Sequence, residues 1–417
     1  MMQRNILCID LKSFFASCEC IDKGLDPFTY PLVVTNPDQG NGAMTLAVTP
    51  YLKSLGVKSR CRLYEIPKNI KYFIARPRMA LYDKMSKAVV DIYLEFVSKE
   101  DLNIYSVDEC FLDVTAYLKM YKKTDYELAL EILKRVEDVT GLTATCGIGP
   151  NMLLAKVSMD IEAKHHADCI AKWAYDDVQT KLWAITPLSK MWGIGPRMEK
   201  NLNIMGCKTI GDIAKLNPGK LKDKFGVMGV ELWNHANGID NSMVSDFNAP
   251  SLDKSYNESQ VLFKDYNDKN IRIIIDEIID NLTSRLRRGK QETRCIGLGI
   301  TYSKNCGGGF YHTIKLDNPT DDAKVISKYC NIIFDKFYED DMPIRKVAIT
   351  FAGLVDKTST QLNLFESLEE QHEKDEINET IDKIKSKFGK NSILKASSLL
   401  EDSTIKERNG KIRGHSA

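Results

Sequence analysis

Apolar residues along the chain repeat with two different periods, and these periods predict its secondary structure. Short apolar runs, such as 6–9 and 143–148, predict strands. Longer segments with apolar residues three and four positions apart, such as 79–97, 125–139 and 151–163, predict amphipathic helices. Together with the hairpin described next, this order of elements predicts an α+β sheet domain.

The most informative stretch is residues 103–114, an apolar, β-prone run that is interrupted by Asp108 and Glu109. Consecutive strand residues face opposite sides, so both carboxylates reach one site only where the chain turns sharply. The stretch therefore predicts two strands that meet at a hairpin tip. A solvated acidic turn is the alternative, but a second acidic strand end, Asp10 after the apolar run 6–9, favours a shared site.

Three carboxylates at neighbouring strand ends repel one another strongly unless cations neutralise them. Ligand sets made only of oxygen atoms select Mg²⁺ or Mn²⁺. A pair of such ions about 3.5–4 Å apart clamps the attacking and leaving oxygens in phosphoryl or nucleotidyl transfer. Asp10, Asp108 and Glu109 are therefore predicted to form a metal-dependent active site.

Three blocks of sequence resemble the signature motifs of the Y-family translesion DNA polymerases. They are Asp10 to Glu19, Ser106 to Asp113, and Cys146 to Asn151 followed by Leu154-Ala155-Lys156. Each block alone is a weak signal, but all three occur in the order and spacing of the family. Within the family the chain is most similar to the UmuC-like branch, and the resemblance extends from Asp10 to the last residues.

The resemblance implies an α+β multidomain fold of the right-hand polymerase type. Its parts are a ferredoxin-like palm, small fingers, a thumb with a helix-hairpin-helix, and an additional little-finger domain. A region in which Asn, Ser, Asp and Pro interrupt the apolar pattern predicts a linker before the last domain. The expected boundaries are palm 1–21 and 77–167, fingers 22–76, thumb 168–238, linker 239–256, little finger 257–356 and C-terminal tail 357–417.

The family motifs also imply the roles of the active-site residues. Asp108 and Glu109 are expected to be catalytic and, together with Asp10 and the carbonyl of Leu11, to hold two Mg²⁺ ions. Lys156 is expected to bind phosphate oxygens of the incoming nucleotide. A solvated helix face is the alternative for this lysine, but its Leu-Ala-Lys context matches the family.

Two further features concern the sugar and the triphosphate of the nucleotide. Phe14 and Phe15 are both candidate nucleotide-binding residues. Phe15 matches the residue that the family uses to exclude ribonucleotides, whereas Phe14 beside it is assigned to core packing. In the fingers, Pro50 and Lys53 stand where relatives usually carry Tyr and Arg. Lys53 keeps the positive charge without the planar fork of Arg, and Pro50 keeps no hydrogen-bonding group.

Two regions are expected to hold the backbone of the primer-template DNA. Residues 188–198 read as helix, glycine turn, helix, in which Gly193, Ile194 and Gly195 would present backbone N–H groups to a phosphate. In the little finger, five cations within ten residues are offset only by Glu292, which predicts a phosphate-binding stripe rather than a solvated basic face. This stripe consists of Arg285, Arg287, Arg288, Lys290 and Arg294.

The tail contains a compact apolar cluster that follows a polar stretch. Gln361, Leu362, Leu364 and Phe365 resemble the peptide by which bacterial polymerases attach to the sliding clamp. The start of a helix that packs on the body is the alternative, because acidic, helix-prone residues follow. The basic region from 383 to 413 is a further candidate for contact with DNA or with another protein.

Composition limits the function of the 417 residues without deciding it. A hydrophobic content of 43% is sufficient for several buried cores, and a net charge of +1 means that any DNA-binding surface must be local. The eleven cysteines contain no CxxC or Cys/His cluster, which argues against a zinc site and against a disulfide framework. No apolar run is long enough to cross a bilayer. These features predict a cytoplasmic protein without a membrane partner.

The sequence therefore predicts a template-directed DNA polymerase for translesion synthesis that uses dNTPs, primer-template DNA and two Mg²⁺ ions. The sliding clamp and an accessory subunit are its other candidate partners. One alternative is a nucleotidyl cyclase, which would need neither the glycine hairpin nor the basic accessory domain. Another is a catalytically inactive adaptor for DNA or the clamp, which would be favoured if one of the three carboxylates were missing.

Overall fold

The computed structural model describes residues 4–248, 254–357, 368–412 and 415–416. Two compact units make up the chain, residues 1–250 together with 415–417, and residues 251–414. The boundary between the units falls inside the predicted linker. Within the described residues, no helix is long and apolar enough to span a membrane.

The first unit contains the palm, the fingers inserted into it, and the thumb. Its strands are β1 (Ile6–Leu11), β2 (Leu32–Val34), β3 (Ala47–Val48), β4 (Phe73–Ala75), β5 (Leu102–Ile104), β6 (Glu109–Asp113), β7 (Ala144–Gly149) and β8 (Ile170–Lys172). Its helices are α1 (Phe14–Asp22), α2 (Pro50–Ser54), α3 (Met79–Tyr93), α4 (Leu118–Tyr121), α5 (Asp125–Thr140), α6 (Met152–Ile161), α7 (Pro196–Ile204), α8 (Ile210–Ala214), α9 (Pro218–Phe225) and α10 (Val227–Ala236).

A five-stranded sheet in the order β5-β6-β1-β7-β8 forms the palm. Strand β1 lies in its centre, antiparallel to both β6 and β7. Side chains alternate along a strand, so Ile6, Cys8 and Asp10 share one face of the sheet. The apolar residues of this face pack with Met152 and Ala155 of α6 in one core cluster. Helix α6 therefore covers the face on which Asp10 lies.

Two glycines of β7 allow α6 to lie close to the sheet. A Cβ atom added at Gly147 would lie 2.0 Å from the carbonyl oxygen of Ala155, and one added at Gly149 would lie 2.4 Å from its backbone nitrogen. No larger residue fits at either position unless the helix moves. Asn151 begins the helix, since its side chain accepts a hydrogen bond from the N–H of Leu154. The glycines thus set the distance between α6 and the strands that carry the carboxylates.

The fingers contain a small sheet in the order β3-β2-β4. Its core consists of aliphatic side chains from the sheet, from α2 and from the irregular segment 57–66. Strand β4 lies at the edge of this sheet and exposes Phe73 and Ile74. The core of the fingers is therefore small, and several large side chains remain at its surface.

The thumb helices α7 to α10 share a core with the palm, because Leu153, Leu154 and Val157 of α6 belong to the same buried cluster. The segment after them, which the sequence predicts as a linker, packs on the palm in its first half. Val244 is buried at 2% exposure, and Asp240 accepts a hydrogen bond from the backbone N–H of Leu153 (3.0 Å). Residues 239–248 therefore belong to the first unit, because their contacts fix them to α6 and its surroundings.

The second unit, the little finger, is an antiparallel sheet in the order β11-β10-β12-β9. Helices α11 and α12 bury their apolar faces in its core. The sequence pattern predicts both helices and the two inner strands, but not the two edge strands. These elements are β9 (Tyr256–Tyr266), α11 (Ile271–Arg288), β10 (Gln291–Tyr302), β11 (Gly309–Thr320), α12 (Ala323–Phe337) and β12 (Ile344–Asp356).

Residues 368–412 are anchored to α11 by polar contacts. Asp382 pairs with Arg287 (2.8 Å), and Glu277, which is 3% exposed, accepts hydrogen bonds from the hydroxyl groups of Ser403 and Thr404. This part of the predicted tail is therefore folded onto the little finger. The last elements of the chain are α13 (Leu368–Phe388), α14 (Ile405–Asn409), β13 (Lys411–Ile412) and β14 (His415–Ser416).

Candidate active site

Asp10 and Glu109 lie directly opposite each other in the pairing of β1 with β6. Directly opposed residues of antiparallel strands have their side chains on the same face of the sheet. The carboxylate of Glu109 also accepts a hydrogen bond from the thiol of Cys8 (3.2 Å). The register of two strands therefore brings together two of the three predicted carboxylates.

Asp108 completes this group at the turn between β5 and β6. Its backbone carbonyl accepts a hydrogen bond from the N–H of Leu11 (2.9 Å), which joins the turn to the end of β1. Its side chain is held by Ser106, whose hydroxyl donates to the carboxylate (2.6 Å). The predicted hairpin tip is present, and it places Leu11 and the three carboxylates at one end of the palm sheet.

Two lysines pair with the carboxylates and differ in exposure. Lys156 of α6 contacts Glu109 (2.8 Å) and Asp160 (3.1 Å), and its side chain is 10% exposed. Lys164, just after α6, contacts Asp10 (3.1 Å), and its side chain is 41% exposed. The sequence analysis named Lys156 and missed Lys164, because no motif marks the latter. The more accessible cation of the pair is Lys164, whereas Lys156 is held against Glu109.

Burial shifts the pKa values of these groups. It raises the pKa of Asp10 and that of Glu109 above the ordinary carboxyl values, and the neighbouring lysines oppose this only in part. Burial also works against the charge of Lys164, but Asp10 and Asp160 hold the pKa of this lysine above its ordinary value. Buried carboxylates of this kind are stabilised in their charged form by nearby cations.

Lys53 brings a further cation to the site from the fingers. Burial lowers the pKa of Lys53, while the negative charges of Asp10 and Asp108 oppose this shift. Pro50 occupies the first position of the same helix, α2, where a missing N–H costs nothing. Lys53, in place of the usual Arg, therefore keeps a positive charge beside the carboxylates. Pro50, in place of the usual Tyr, is a favourable first residue for α2.

The donor atoms at this end of the palm suit a hard divalent cation. Asp10, Asp108, Glu109 and the carbonyl of Leu11 offer only oxygen atoms. In the described part of the chain, no three His, Cys, Asp or Glu side chains are already arranged as a metal site. In this arrangement Asp10 pairs with Lys164 and Glu109 pairs with Lys156. The chemistry of the residues fits the predicted Mg²⁺.

Phe14 and Phe15 differ in burial. Phe14 is 3% exposed and lies in the core. Phe15 is partly exposed, and its ring stacks on that of Tyr82 with 4.6 Å between the centroids. The hydroxyl of Tyr82 donates to Glu19 (2.8 Å), which also accepts two hydrogen bonds from Arg78. The ring of Phe15 thus has a fixed support that the sequence analysis did not identify.

Comparisons with known proteins decide the family. Residues 9–160 match the impB/mucB/samB family, residues 175–206 match the IMS family HHH motif, and residues 253–364 match the impB/mucB/samB family C-terminal domain. A Bacillus subtilis (strain 168) protein that carries the name of UV-damage repair protein UvrX is 39% identical over 99% of this chain and 98% of its own length. DNA polymerase IV 2 of the same organism is 32% identical over 100% of this chain and 99% of its own length. The chain belongs to the Y family of DNA polymerases.

Family membership confirms the predicted translesion DNA polymerase and its enzyme class. Y-family polymerases are metal-dependent nucleotidyltransferases that act on DNA and dNTPs. A solved Y-family DNA polymerase chimera, Dbh-Dpo4(243-245)-Dbh, superposes on this chain with a TM-score of 0.65 and is 18% identical to it. The superposition includes 84% of this chain and 99% of the chimera. At this identity the likeness shows the fold alone, and it confirms the predicted right-hand, α+β multidomain architecture.

In the thumb of this Y-family polymerase, two of the three residues predicted to contact a phosphate have backbone that a ligand could approach. Gly193 has a left-handed backbone conformation (φ 88°), and Gly195 directly precedes α7. A Cβ atom added at either position would meet open space. Ile194 departs from the prediction, because its side chain is buried and its N–H already donates to the carbonyl of Met191 (3.1 Å).

Trp192 connects the thumb hairpin of the polymerase to the catalytic turn. Its indole N–H donates to the hydroxyl of Tyr105 (3.2 Å), and its ring packs against the palm core beside Phe111. The backbone N–H of Tyr105 donates in turn to the carbonyl of Glu109 (3.0 Å). The thumb loop that carries the two glycines is therefore in contact with the turn that carries Asp108. The sequence analysis assigned no function to Trp192.

The basic stripe of the little finger is partly covered. Arg287 departs from the prediction, because it pairs with Asp382 of α13 and its side chain is 17% exposed. It therefore anchors the C-terminal segment and is not available as a free phosphate contact. The four cations of the stripe that remain exposed are Arg285, Arg288, Lys290 and Arg294.

The predicted clamp-binding residues lie outside the described residues, and so their function stays a prediction. The elements on either side of them, β12 and α13, both belong to the second unit. The residues concerned are Gln361, Leu362, Leu364 and Phe365.

Proposed function

We propose that this Y-family polymerase adds dNTPs to a primer 3′-hydroxyl by a two-metal mechanism that uses Asp10, Asp108 and Glu109, with the Leu11 carbonyl as a further ligand. The observation that carries this proposal is the register of β1 and β6, which puts Asp10 opposite Glu109 beside the turn of Asp108. Two bound Mg²⁺ ions would stabilise the attacking and the leaving oxygens. The chain supplies the oxygen ligands at the end of a rigid sheet.

The cations around the carboxylates support a division of tasks. Lys164 is accessible beside Asp10, and Lys53 approaches from the fingers, so both are suited to contact the triphosphate. Lys156 has little exposed surface and contacts Glu109. We therefore assign the triphosphate to Lys164 and Lys53, and we assign to Lys156 the positioning of Glu109.

Phe15 is proposed to exclude ribonucleotides by contact with the sugar. A pocket that merely leaves an added hydroxyl unbound discriminates weakly, so strong selection needs a ring that cannot move aside. The stack of Phe15 on Tyr82 and the hydrogen bond from Tyr82 to Glu19 supply this rigidity. Phe14 supports the same pocket from within the core.

Sequence-independent contacts are proposed to hold the primer-template. Gly193 and Gly195 offer exposed backbone at the start of α7, and the uncovered cations near the end of α11 offer positive charge. Contacts of this kind fix the position of DNA without reading its sequence, which suits a polymerase that must accept damaged templates.

A sliding clamp is proposed as a partner on the basis of residues 361–365, and an accessory subunit and a cytoplasmic location remain part of the proposal. Attachment through a short peptide would raise the local concentration of the enzyme at primer ends. Deletion of residues 361–365 is expected to abolish stimulation by the clamp and to leave synthesis without the clamp unchanged. Equal stimulation before and after the deletion would exclude this attachment.

Primer extension by the purified chain on undamaged and lesion-bearing templates tests the proposed function. We expect nucleotide addition on both templates with Mg²⁺, and none after removal of divalent ions. Addition only on undamaged templates would contradict lesion bypass. DNA binding without any addition would favour the inactive adaptor, and conversion of a nucleoside triphosphate without a primer would favour the cyclase.

A further inference from the structure

Strand β1 carries a thiol group inside the palm core, two residues before Asp10. Ile6, Cys8 and Asp10 share one face of the sheet, and the first two belong to the core cluster that includes α6. Cys8 has no exposed surface. A buried free cysteine usually acts as a small apolar residue, so packing alone is the ordinary explanation of such a residue.

The contacts of Glu109 give Cys8 a second task. The thiol of Cys8 donates to Oε1 of Glu109 (3.2 Å), and the ammonium group of Lys156 contacts the same oxygen (2.8 Å). Lys156 is itself held by Asp160 (3.1 Å). Among the residues that the structure describes, none forms a hydrogen bond or an ion pair with Oε2 of Glu109. The protein therefore holds one oxygen of this carboxylate and leaves the other for a ligand.

The strand register fixes the thiol beside Glu109. Cys8 lies opposite Phe111 of β6 and opposite Gly147 of β7. Phe111 follows Glu109 by two residues, so both lie on the face that carries Cys8. Gly147 leaves room for α6 and thus for Lys156 to approach the same carboxylate. Burial raises the pKa of Cys8 well above its ordinary value, so the group keeps a proton to donate near neutral pH.

We propose that Cys8 is a positioning residue that, together with Lys156, holds Oε1 of Glu109 and leaves the other oxygen free for the reaction. The proposal rests on the proposed function, because the position of Glu109 matters for nucleotide addition only if Glu109 belongs to the active site. A hydrogen bond to a charged acceptor is stronger than one between neutral groups. Since a displacement of about 1 Å in a reacting group can lower a rate greatly, loss of this contact acts on kcat.

Two substitutions separate positioning from packing. Cys8→Val fills a similar space without a donor, whereas Cys8→Ser is smaller and keeps one. We expect Cys8→Val to lower kcat for single-nucleotide incorporation about five-fold or more, since a hydrogen bond to a charged group is lost. Cys8→Ser is expected to retain most of the wild-type kcat. In both variants the KM for dNTP and the affinity for primer-template DNA are expected to change little.

Cys146→Val is the matched control for the loss of a buried thiol. Cys146 of β7 is equally buried and lies opposite Ile9, so it is on the other face of the sheet from Cys8. The control is expected to keep a kcat near that of the wild type. A wild-type kcat in Cys8→Val together with a lowered kcat in Cys8→Ser would show that Cys8 only packs, and would overturn the proposal.

Infrared spectroscopy of the S–H stretch tests the contact itself, without nucleotide, metal or DNA. Glu109→Gln replaces a charged acceptor by a weaker, neutral one, so the band of Cys8 is expected to move to higher frequency. The shift is expected to be absent when Glu109→Gln is combined with Cys8→Val, and absent in Asp113→Asn, which changes a carboxylate opposite Ile6.

The infrared result stands even if the Cys8 variants fail to fold, because Glu109→Gln alone keeps every cysteine of the chain. An unchanged S–H region in this variant would overturn the proposal. A shifted band in a chain that adds no nucleotide would refute the proposed function and not the contact between Cys8 and Glu109.

Discussion

Lys164 and Lys156 contact the same group of carboxylates, but the side chain of Lys164 is much more exposed, at 41% against 10%. Lys164→Ala is therefore expected to raise the KM for dNTP about ten-fold or more, because one charge-assisted contact to phosphate is lost. Lys164→Arg keeps the charge and is expected to restore most of the affinity. Single-nucleotide incorporation kinetics measure this change, and an unchanged KM in Lys164→Ala would contradict the assignment.

The ring of Phe15 is the proposed barrier to ribonucleotides. Phe15→Ala is expected to raise ribonucleotide insertion by orders of magnitude with a modest loss of dNTP insertion, since the hydroxyl at C2′ no longer meets a fixed ring. Phe14→Leu is the comparison, because it removes a buried ring that supports Phe15 without itself meeting the sugar, and it is expected to change sugar selectivity much less than Phe15→Ala. Insertion rates for matched rNTP and dNTP pairs give the result. Unchanged selectivity in a folded Phe15→Ala protein would place the barrier elsewhere.

Individual residues were predictable from the sequence where their chemistry breaks a local pattern. Asp10, Asp108 and Glu109 are visible because charges interrupt or end apolar strands. Lys164 and Trp192 are not visible in this way, because their partners Asp10 and Tyr105 are distant in sequence and meet them only through the sheet and the thumb packing. Contacts of this kind depend on the whole fold.

At the scale of elements, the approach of α6 to β7 positions Lys156 against Glu109. Gly147→Ala is expected to lower the free energy of unfolding by about 2–3 kcal/mol, since the new Cβ would lie 2.0 Å from the carbonyl of Ala155. Chemical denaturation followed by circular dichroism measures this loss. Gly42→Ala is the control, because a Cβ there meets no atom within 4 Å. Equal stability of the two variants would contradict the close packing of α6.

The end of α11 separates two functions that the sequence analysis combined. Arg288→Ala is expected to flatten the salt dependence of duplex binding by about 0.9, as one phosphate contact is lost. Arg287→Ala is expected to leave this slope unchanged and to make α13 more sensitive to proteolysis, because its pair with Asp382 is removed. Salt titrations of DNA affinity and limited proteolysis separate the two effects. A flatter salt slope in Arg287→Ala together with an unchanged slope in Arg288→Ala would refute this distinction.

Elements with strong apolar periodicity were predictable, and polar edge strands were not. The inner strands of the little finger carry regularly spaced apolar residues, whereas β9 begins and ends with polar and charged residues around a short apolar run and β11 contains Gly, Asn and Pro. Both edge strands exist because β10 and β12 offer them backbone partners. The docking of α13 on α11 likewise depends on ion pairs between segments distant in sequence.

At the scale of the whole molecule, catalysis and DNA binding are assigned to separate parts of the chain. The carboxylates lie at one end of the palm sheet, whereas the proposed DNA contacts come from the thumb hairpin and the little finger. Changes to the metal ligands are therefore expected to affect nucleotide addition without a comparable loss of DNA affinity. This separation also explains why a chain of near-neutral net charge can hold DNA.

The most direct test is single-nucleotide incorporation by Asp108→Ala, measured together with its affinity for primer-template DNA. The control is Asp113→Asn, which changes a carboxylate at the far end of β6, the strand that follows Asp108, opposite Ile6. We expect Asp108→Ala to lower the incorporation rate at least about a thousand-fold, with DNA affinity within a few-fold of the wild type and Asp113→Asn near wild-type activity. Incorporation at the wild-type rate by a folded Asp108→Ala protein would contradict the assignment of the active site.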